Sequence, residues 1–173
     1  MKHKNLTLFL LVACTLAEWH SALALDGFYV GAEVGSRFSF TGSTNITHGT
    51  AIGFGLDLGT RVNPMVDLIL QSQMSSHSKD VTLFSEVISA DLHIFSLNDF
   101  EVSIGAGPGF YFFKTSLSTE TDFGLNGGAN IDLNIDDHLR AGISGRYHGV
   151  FSPTVGGSLW SIMMRVGYFF SAG

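Results

Sequence analysis

Eight antiparallel strands wound up and down into a closed transmembrane β-barrel is the all-β fold this sequence predicts. Three observations lead there. The first is strict alternation. From Phe123 to Ile135, the residues Phe123, Leu125, Gly127, Ala129, Ile131, Leu133 and Ile135 share one parity, and Gly124, Asn126, Gly128, Asn130, Asp132 and Asn134 share the other. A strand sends alternate side chains to opposite faces, so one face is apolar and the other polar. The second is repetition of that pattern along the chain. The third is the gathering of aromatic residues at matching strand ends, which a soluble sandwich does not require.

The N-terminus supplies context. Lys2 and Lys4 precede an apolar run, Leu6 to Ala17, and Ala22-Leu23-Ala24 is a small-x-small cleavage signal. These are the parts of a secretory signal peptide. The run of 12 residues is too short for a spanning helix, which needs about 20. Residues 1–24 are therefore expected to be removed. Residues 25–173, which are 149 of the 173, then form one barrel domain. Leu11-Val12-Ala13-Cys14 also resembles a lipobox, which would place a lipid on Cys14. The apolar run passing through Cys14, and a strand starting directly after Ala24, favour cleavage after Ala24. The mature chain then lacks cysteine, and no disulfide frames it. Loss of Lys2, Lys4 and Glu18 moves the formal charge from −6 to −7. An acidic chain without a basic run is no candidate for nucleic acid. Its 21 glycines against 3 prolines suit many strands with tight interiors.

Read in order, the first strand is Gly27 to Ser36, with Phe28, Val30, Ala32 and Val34 opposed to Tyr29, Gly31, Glu33 and Gly35. A polar loop, Arg37 to His48, follows. The second strand is Thr50 to Gly59, and Thr60 to Pro64 is a turn punctuated by Asn63-Pro64. The third is Met65 to Met74, with Ser75 to Asp80 as a loop. The fourth, Val81 to Phe95, carries Glu86 on its apolar parity, a position expected above the lipid zone. Ser96 to Asp99 is a turn. The fifth strand, Phe100 to Lys114, holds Pro108. Proline cannot donate to a ladder, and a closed barrel has no edge to hide it, so a bulge or kink is expected there. After the loop Thr115 to Thr121 comes the sixth strand, Asp122 to Ile135, then the turn Asp136-Asp137-His138. The seventh strand is Leu139 to His148, Gly149 to Gly157 is a loop, and the eighth strand is Ser158 to Phe170.

Long and short connections alternate, as in outer-membrane barrels with external loops and periplasmic turns. An even strand count returns both termini to the periplasm. No sheet edge can stand open in a bilayer, so the first strand must pair with the eighth. The direction of travel puts Phe110, Phe112, Phe123, Tyr147 and Trp160 at the outer interface, and Phe28, Tyr168 and Phe170 at the inner one.

Parity also lists the interior. Its acids are Glu33, Asp57, Asp67, Asp91, Glu101 and Asp132. Its bases are Arg140, Arg146 and Arg165, with His93 and His148. Eight strands enclose only enough space for side chains to fill, and inward glycines such as Gly31, Gly53, Gly105 and Gly142 make room for the long ones. Unpaired buried charge is costly, so a plug of paired charges is favoured over a proton or ion path. Glu33 and Arg165 stand five residues above the inner girdle on strands that must be neighbours. They are expected to pair across the closing seam.

The segments GFYVGAEVG, SIGAGPGFYFF, FGLNGGANIDLNI, AGISGRYH and MRVGYFF together resemble the superfamily of small outer-membrane β-barrels, which includes OmpA-type domains, OmpW-type barrels and opacity-type porin-like proteins. The resemblance covers essentially the whole mature chain. Here Phe170 is followed by Ser171-Ala172-Gly173, whereas the family's assembly signal usually ends on an aromatic residue. The resemblance implies a Gram-negative cell outer membrane, contact with its lipid and lipopolysaccharide, and insertion by the barrel-assembly machinery as a monomer. It implies no cofactor.

Three functions follow as expectations. The favoured one is a non-enzymatic envelope protein that supports membrane integrity and presents loops. The alternative is a narrow porin-like or OmpW-like conduit for small or hydrophobic solutes. The least favoured is a lipid A-modifying enzyme, which would use a Ser/His pair facing lipid. The candidates are His77 beside Ser78, and His148 four residues before Ser152, but His148 has inward parity. Gly105, Gly107 and Gly109 do not open a helix, so they make no nucleotide loop. No His/Cys spacing suggests a metal site. The sequon Asn45-Ile46-Thr47 carries little weight.

Overall fold

A computed structural model describes residues 27–42, 50–78, 81–115, 118–151 and 157–171. The expected leader with Cys14, the sequon at Asn45, and Ser152 lie outside these residues. Eight strands follow one another as β1(Gly27–Gly42), β2(Thr50–Asn63), β3(Val66–Ser78), β4(Val81–Leu97), β5(Phe100–Lys114), β6(Thr119–Asn134), β7(Leu139–Phe151) and β8(Gly157–Ser171). Each pairs antiparallel with its sequence neighbours, and β1 pairs with β8 to close the barrel. The seam register runs from Gly27↔Ser171 through Phe28↔Phe170 and Glu33↔Arg165 to Phe38↔Trp160.

The strands run from 13 to 17 residues, beyond the ~9–11 that a tilted strand needs to cross a bilayer. Backbone pairing continues past the apolar belt, because a ladder hydrogen bond remains the best partner for each N–H and C=O. Segments expected as loops are therefore partly strand. Arg37 and Phe38 belong to β1, Ser75 and Ser76 to β3, and Gly149 to Phe151 to β7. The β5–β6 connection is correspondingly tight: Thr115 N donates to Ser118 O at 2.8 Å, and Ser118 N donates to Thr115 Oγ1 at 3.0 Å.

The two ends of the barrel differ. One, the turn end, carries Gly27, Ser171 and three tight turns. At Pro64-Met65 the Met65 amide donates to Asn63 Oδ1 at 2.8 Å. At Asn98-Asp99 the chain reverses with Asn98 at φ 53°, a conformation asparagine tolerates better than most residues. At Asp136 the carboxylate accepts the amides of His138 and Leu139, each at 2.7 Å. The opposite end is the loop end.

Outward positions are apolar as the alternation requires: Phe54, Ile88, Leu125, Ile143 and Met164 are all exposed. Phe28 stacks on Phe170 at 4.7 Å, and Tyr168 meets Phe170 at 4.9 Å, forming a girdle at the turn end. Phe110 meets Phe123 at 5.9 Å, Tyr147 meets Trp160 at 5.3 Å, and Phe112 meets Phe84 at 5.8 Å toward the loop end. Phe84, Phe95, Phe100 and Phe151 are further outward aromatics. Glu86 lies on this outer face, half-buried, with Ser72 Oγ donating to its Oε2 at 2.8 Å across β3 and β4. Its Cα partner on β5 is Phe110, so it sits at the level of the loop-end aromatics.

Pro108 does not produce the expected bulge. The ladder to β6 runs through Pro108↔Leu125 without interruption. The ladder to β4 passes from Val87↔Gly109 to Ala90↔Ala106 in unchanged register, leaving Pro108 out of the pairing. Two register pairs, those of Pro108 and Gly107, are lost and no residue is inserted. The bulge lies instead in β4, between His93↔Ser103 and Phe95↔Val102. Its extra residue, Ile94, leaves both Ile94 and Phe95 exposed. Phe110 and Phe112 consequently keep outward parity, while Tyr111 and Phe113 point inward and are buried.

Beside the proline, β4 and β5 approach closely: a Cβ built on Gly107 would collide with the backbone oxygen and carbon of Ile88. Gly107→Val should therefore lower stability by about 1–3 kcal/mol, measured by urea unfolding from lipid vesicles. The turn at Asp136 makes a second prediction. The His138 amide first, then that of Leu139, holds the Asp136 carboxyl below its ordinary range. The turn's stabilisation is thus present at neutral pH and lost as pH falls through the folded-state value. Asp136→Ala should speed hydrogen exchange of the Leu139 amide at neutral pH, and the difference should shrink on acidification.

Candidate functional site

Among the described residues, the interior is where polar chemistry concentrates. All nine charged residues assigned to it by parity point inward, and the structure sorts them into two levels below a mainly apolar third. Room for them comes from glycines on adjacent strands. Tyr29 lies over Gly59, Asp91 over Gly105, Arg146 over Gly128 and Asp132 over Gly142. A Cβ at any of these glycines would collide with the side chain lying over it or with backbone beside it.

At the turn end, Asp67 and Glu101 organise the charges. Arg61 grips Asp67 with two bonds, Nε to Oδ1 at 2.9 Å and Nη2 to Oδ2 at 3.2 Å. His93 spans both acids, with Nε2 at 2.8 Å from Asp67 Oδ2 and Nδ1 at 3.4 Å from Glu101 Oε2. Arg140 Nη2 stands 3.1 Å from Glu101, and its Nε donates to Asn134 at 3.0 Å. The guanidinium groups of Arg61 and Arg140 lie 5.3 and 5.5 Å from the Phe169 ring centre. That ring also stacks on Tyr29 at 5.7 Å. Such cation–ring contacts contribute about 0.5–1 kcal/mol where exposed and more where desolvated. Beyond them a cavity of about 370 Å³ opens at this end, lined by Arg61, Glu101, Arg140, Phe169 and the turns at Asp99 and Asp136.

In the middle, Arg146 Nη2 meets Asp91 Oδ2 at 2.6 Å with both side chains buried. Asp91 also accepts from Asn130 at 2.7 Å and Ser89 at 2.9 Å, and Arg146 donates to Asn126 at 3.1 Å. Arg165 Nε stands 3.5 Å from Asp132, and its Nη2 donates to Tyr29 Oη at 3.3 Å. Glu33 accepts from Gln73 at 2.7 Å and from Gln71 and Ser144 at 3.4 Å. Glu33 and Arg165 are Cα partners across the seam, as the girdle levels implied. Their side chains nevertheless turn apart to these other partners, because a narrow lumen lets each reach strands beyond its neighbour. The expected Glu33–Arg165 ion pair is replaced by Arg165–Asp132.

Toward the loop end the filling becomes apolar. Leu83, Val87, Tyr111, Phe113, Val150 and Leu159 form one buried cluster. Tyr111 Oη shares a hydrogen bond with His148 Nδ1 at 3.0 Å, and His148 Nε2 shares one with Ser161 Oγ at 3.2 Å. Arg37 is fully buried and donates to Ser75 at 3.4 Å and Ser85 at 3.2 Å.

Three interior residues escape the parity list: Arg37, Arg61 and Phe169. The first two were read as loop and turn. The third was overlooked beside the outward Tyr168 and Phe170. All three continue the odd parity of Glu33, Asp57 and Arg165: carrying the alternation past the expected strand ends finds Arg37 and Arg61, and parity within the eighth strand already gives Phe169. Of the two Ser/His pairs considered, Ser152 and the side chain of Ser78 lie outside the described residues. His148 bonds to Ser161 in the closed interior, where both are buried. His77 bonds to Ser75 at 3.1 Å.

The buried Arg146–Asp91 pair yields a prediction. Removing one partner of such a pair costs about 3–5 kcal/mol, because the other charge is left uncompensated. Arg146→Met should destabilise the barrel by that order, and adding Asp91→Asn should recover part of the loss. The same cycle for Glu33 and Arg165, read by urea unfolding from vesicles, should show weaker coupling.

Comparison with known proteins agrees with this geometry. Among solved structures, Neisserial surface protein A (NspA) superposes with a TM-score of 0.74 at 16% identity, covering 83% of this chain and 97% of that one. The N-terminal β-barrel domain of Pseudomonas aeruginosa OprF gives a TM-score of 0.61 at 18% identity, over 82% and 97% of the two chains. The outer membrane protein OprG of Pseudomonas aeruginosa gives 0.56 at 14% identity, over 86% and 98%. These likenesses show the shared barrel fold. No curated protein matches the chain. The family model for the outer membrane protein beta-barrel domain matches residues 6–170, and the chain belongs to that family of outer-membrane β-barrels.

Proposed function

We propose that this protein is a non-enzymatic structural element of the outer membrane, a barrel whose lumen is filled rather than open. The observation that carries this reading is the apolar cluster of Leu83, Val87, Tyr111, Phe113, Val150 and Leu159 across the loop end. It lies over polar levels in which Arg37, Arg146, Gln71 and Gln73 are themselves fully buried. Water and ions crossing the lumen would have to displace packed side chains. In this reading the turn end, with both chain termini and the tight turns, faces the periplasm. The loop end faces outward, and the protein works as a monomer against outer-membrane lipid and lipopolysaccharide. Its contribution is to envelope integrity.

Two experiments test this. In planar bilayers the purified barrel should show no steady conductance, and a stable open level would overturn the filled-lumen reading in favour of a narrow conduit. A deletion strain should become more permeable to large hydrophobic antibiotics while its lipid A mass stays unchanged. A shift in lipid A mass would point to an enzyme instead.

A further inference from the structure

The hydrogen bonds and ion pairs of the central level leave one carboxyl group unaccounted for. Asp57 is fully buried, and neither of its side-chain oxygens has a hydrogen-bond partner. The neighbouring acids are all provided for. Asp91 is held by Arg146, Asn130 and Ser89. Asp132 stands against Arg165. Glu33 accepts from Gln73, Gln71 and Ser144. The register sets Asp57 opposite Gly31 and Glu33 opposite Gly55, so the two acids are diagonal neighbours on the inward face of β1 and β2. Glu33 Oε2 lies 3.3 Å from the Cβ position of Gly55, which shows it leaning over β2, and the Cβ of Asp57 lies 3.4 Å from the Cβ position of Gly31, over β1.

A buried carboxylate without donors is the most costly form this group could take, and a carboxyl in that setting neutralises instead. Two carboxyls sharing a site readily hold one proton between them. We propose that Asp57 is a neutral carboxylic acid whose hydroxyl donates to Glu33, making the pair a one-proton binding site in the centre of the barrel. Glu33 is the acceptor of the pair because it already takes three donors, and Asp57 is the donor because neither of its oxygens takes one. The other titratable and charged groups around this level are Tyr29 from β1, Asp67 from β3, Asp91 from β4, Asp132 from β6, Arg140 from β7 and Arg165 from β8. Each of them has an ion-pair or hydrogen-bond partner elsewhere in the lumen, with Nη1 of Arg165 left over.

Infrared spectroscopy of the refolded barrel in lipid vesicles at neutral pH tests this directly. A protonated carboxyl has a carbonyl band well separated from those of carboxylates. The wild type should show one such buried band, Asp57→Asn should lose it, and Glu33→Gln should keep it at a shifted position. Absence of the band in the wild type would overturn the proposal, as would its survival in Asp57→Asn. Loss in Glu33→Gln with survival in Asp57→Asn would assign the proton to the other acid and equally overturn it. If Asp57→Asn does not refold, carbon-13 spectra of aspartate-labelled wild type decide instead. One aspartate carboxyl at the protonated shift at neutral pH is the expected result, and none there refutes it. Neither outcome bears on whether the lumen conducts.

Discussion

Closing eight strands on themselves imposes the constraint from which the rest of this structure follows. The seam between β1 and β8 satisfies the last row of backbone groups, which a bilayer leaves no alternative to pairing. The same closure fixes a bore too narrow for water to fill freely, so inward side chains must fill it and must satisfy one another. Glycine and charge are therefore two sides of one solution. Long inward side chains lie over positions on the next strand without a Cβ, and charges find partners on strands that are several places away in sequence. Arg146 of β7 reaches Asp91 of β4, and Arg165 of β8 reaches Asp132 of β6.

This explains how much was legible in the sequence. The strand count, the order, the seam register and the outward face all follow from parity and turn chemistry, which are local properties of the chain. Phe28 meeting Phe170 and Glu33 facing Arg165 are read from one-dimensional spacing alone. What parity cannot give is which inward charge meets which, because those choices are made across the lumen by reach and packing. Hence Glu33 and Arg165 share a register and take different partners.

The strand ends mark a second limit. The lipid belt sets how long the apolar face must be, but backbone pairing decides where a strand stops. Reading the first as the second turned Arg37 and Arg61 into loop and turn residues. The proline is a related case. Its missing donor predicts a broken link, which the β4–β5 ladder shows, but not an inserted residue. The inserted residue is Ile94, in a stretch of β4 with no local signal to mark it.

Phe169 has a consequence for how the molecule is made. The ring comes from the last strand, yet it is the surface on which Arg61 of β2, Arg140 of β7 and Tyr29 of β1 come together. Until that strand arrives, the two guanidinium groups have no ring to share and β1 has an unpaired edge. The arrival of β8 thus completes the backbone cylinder and caps its charged floor together, so loss of this strand would remove both at once.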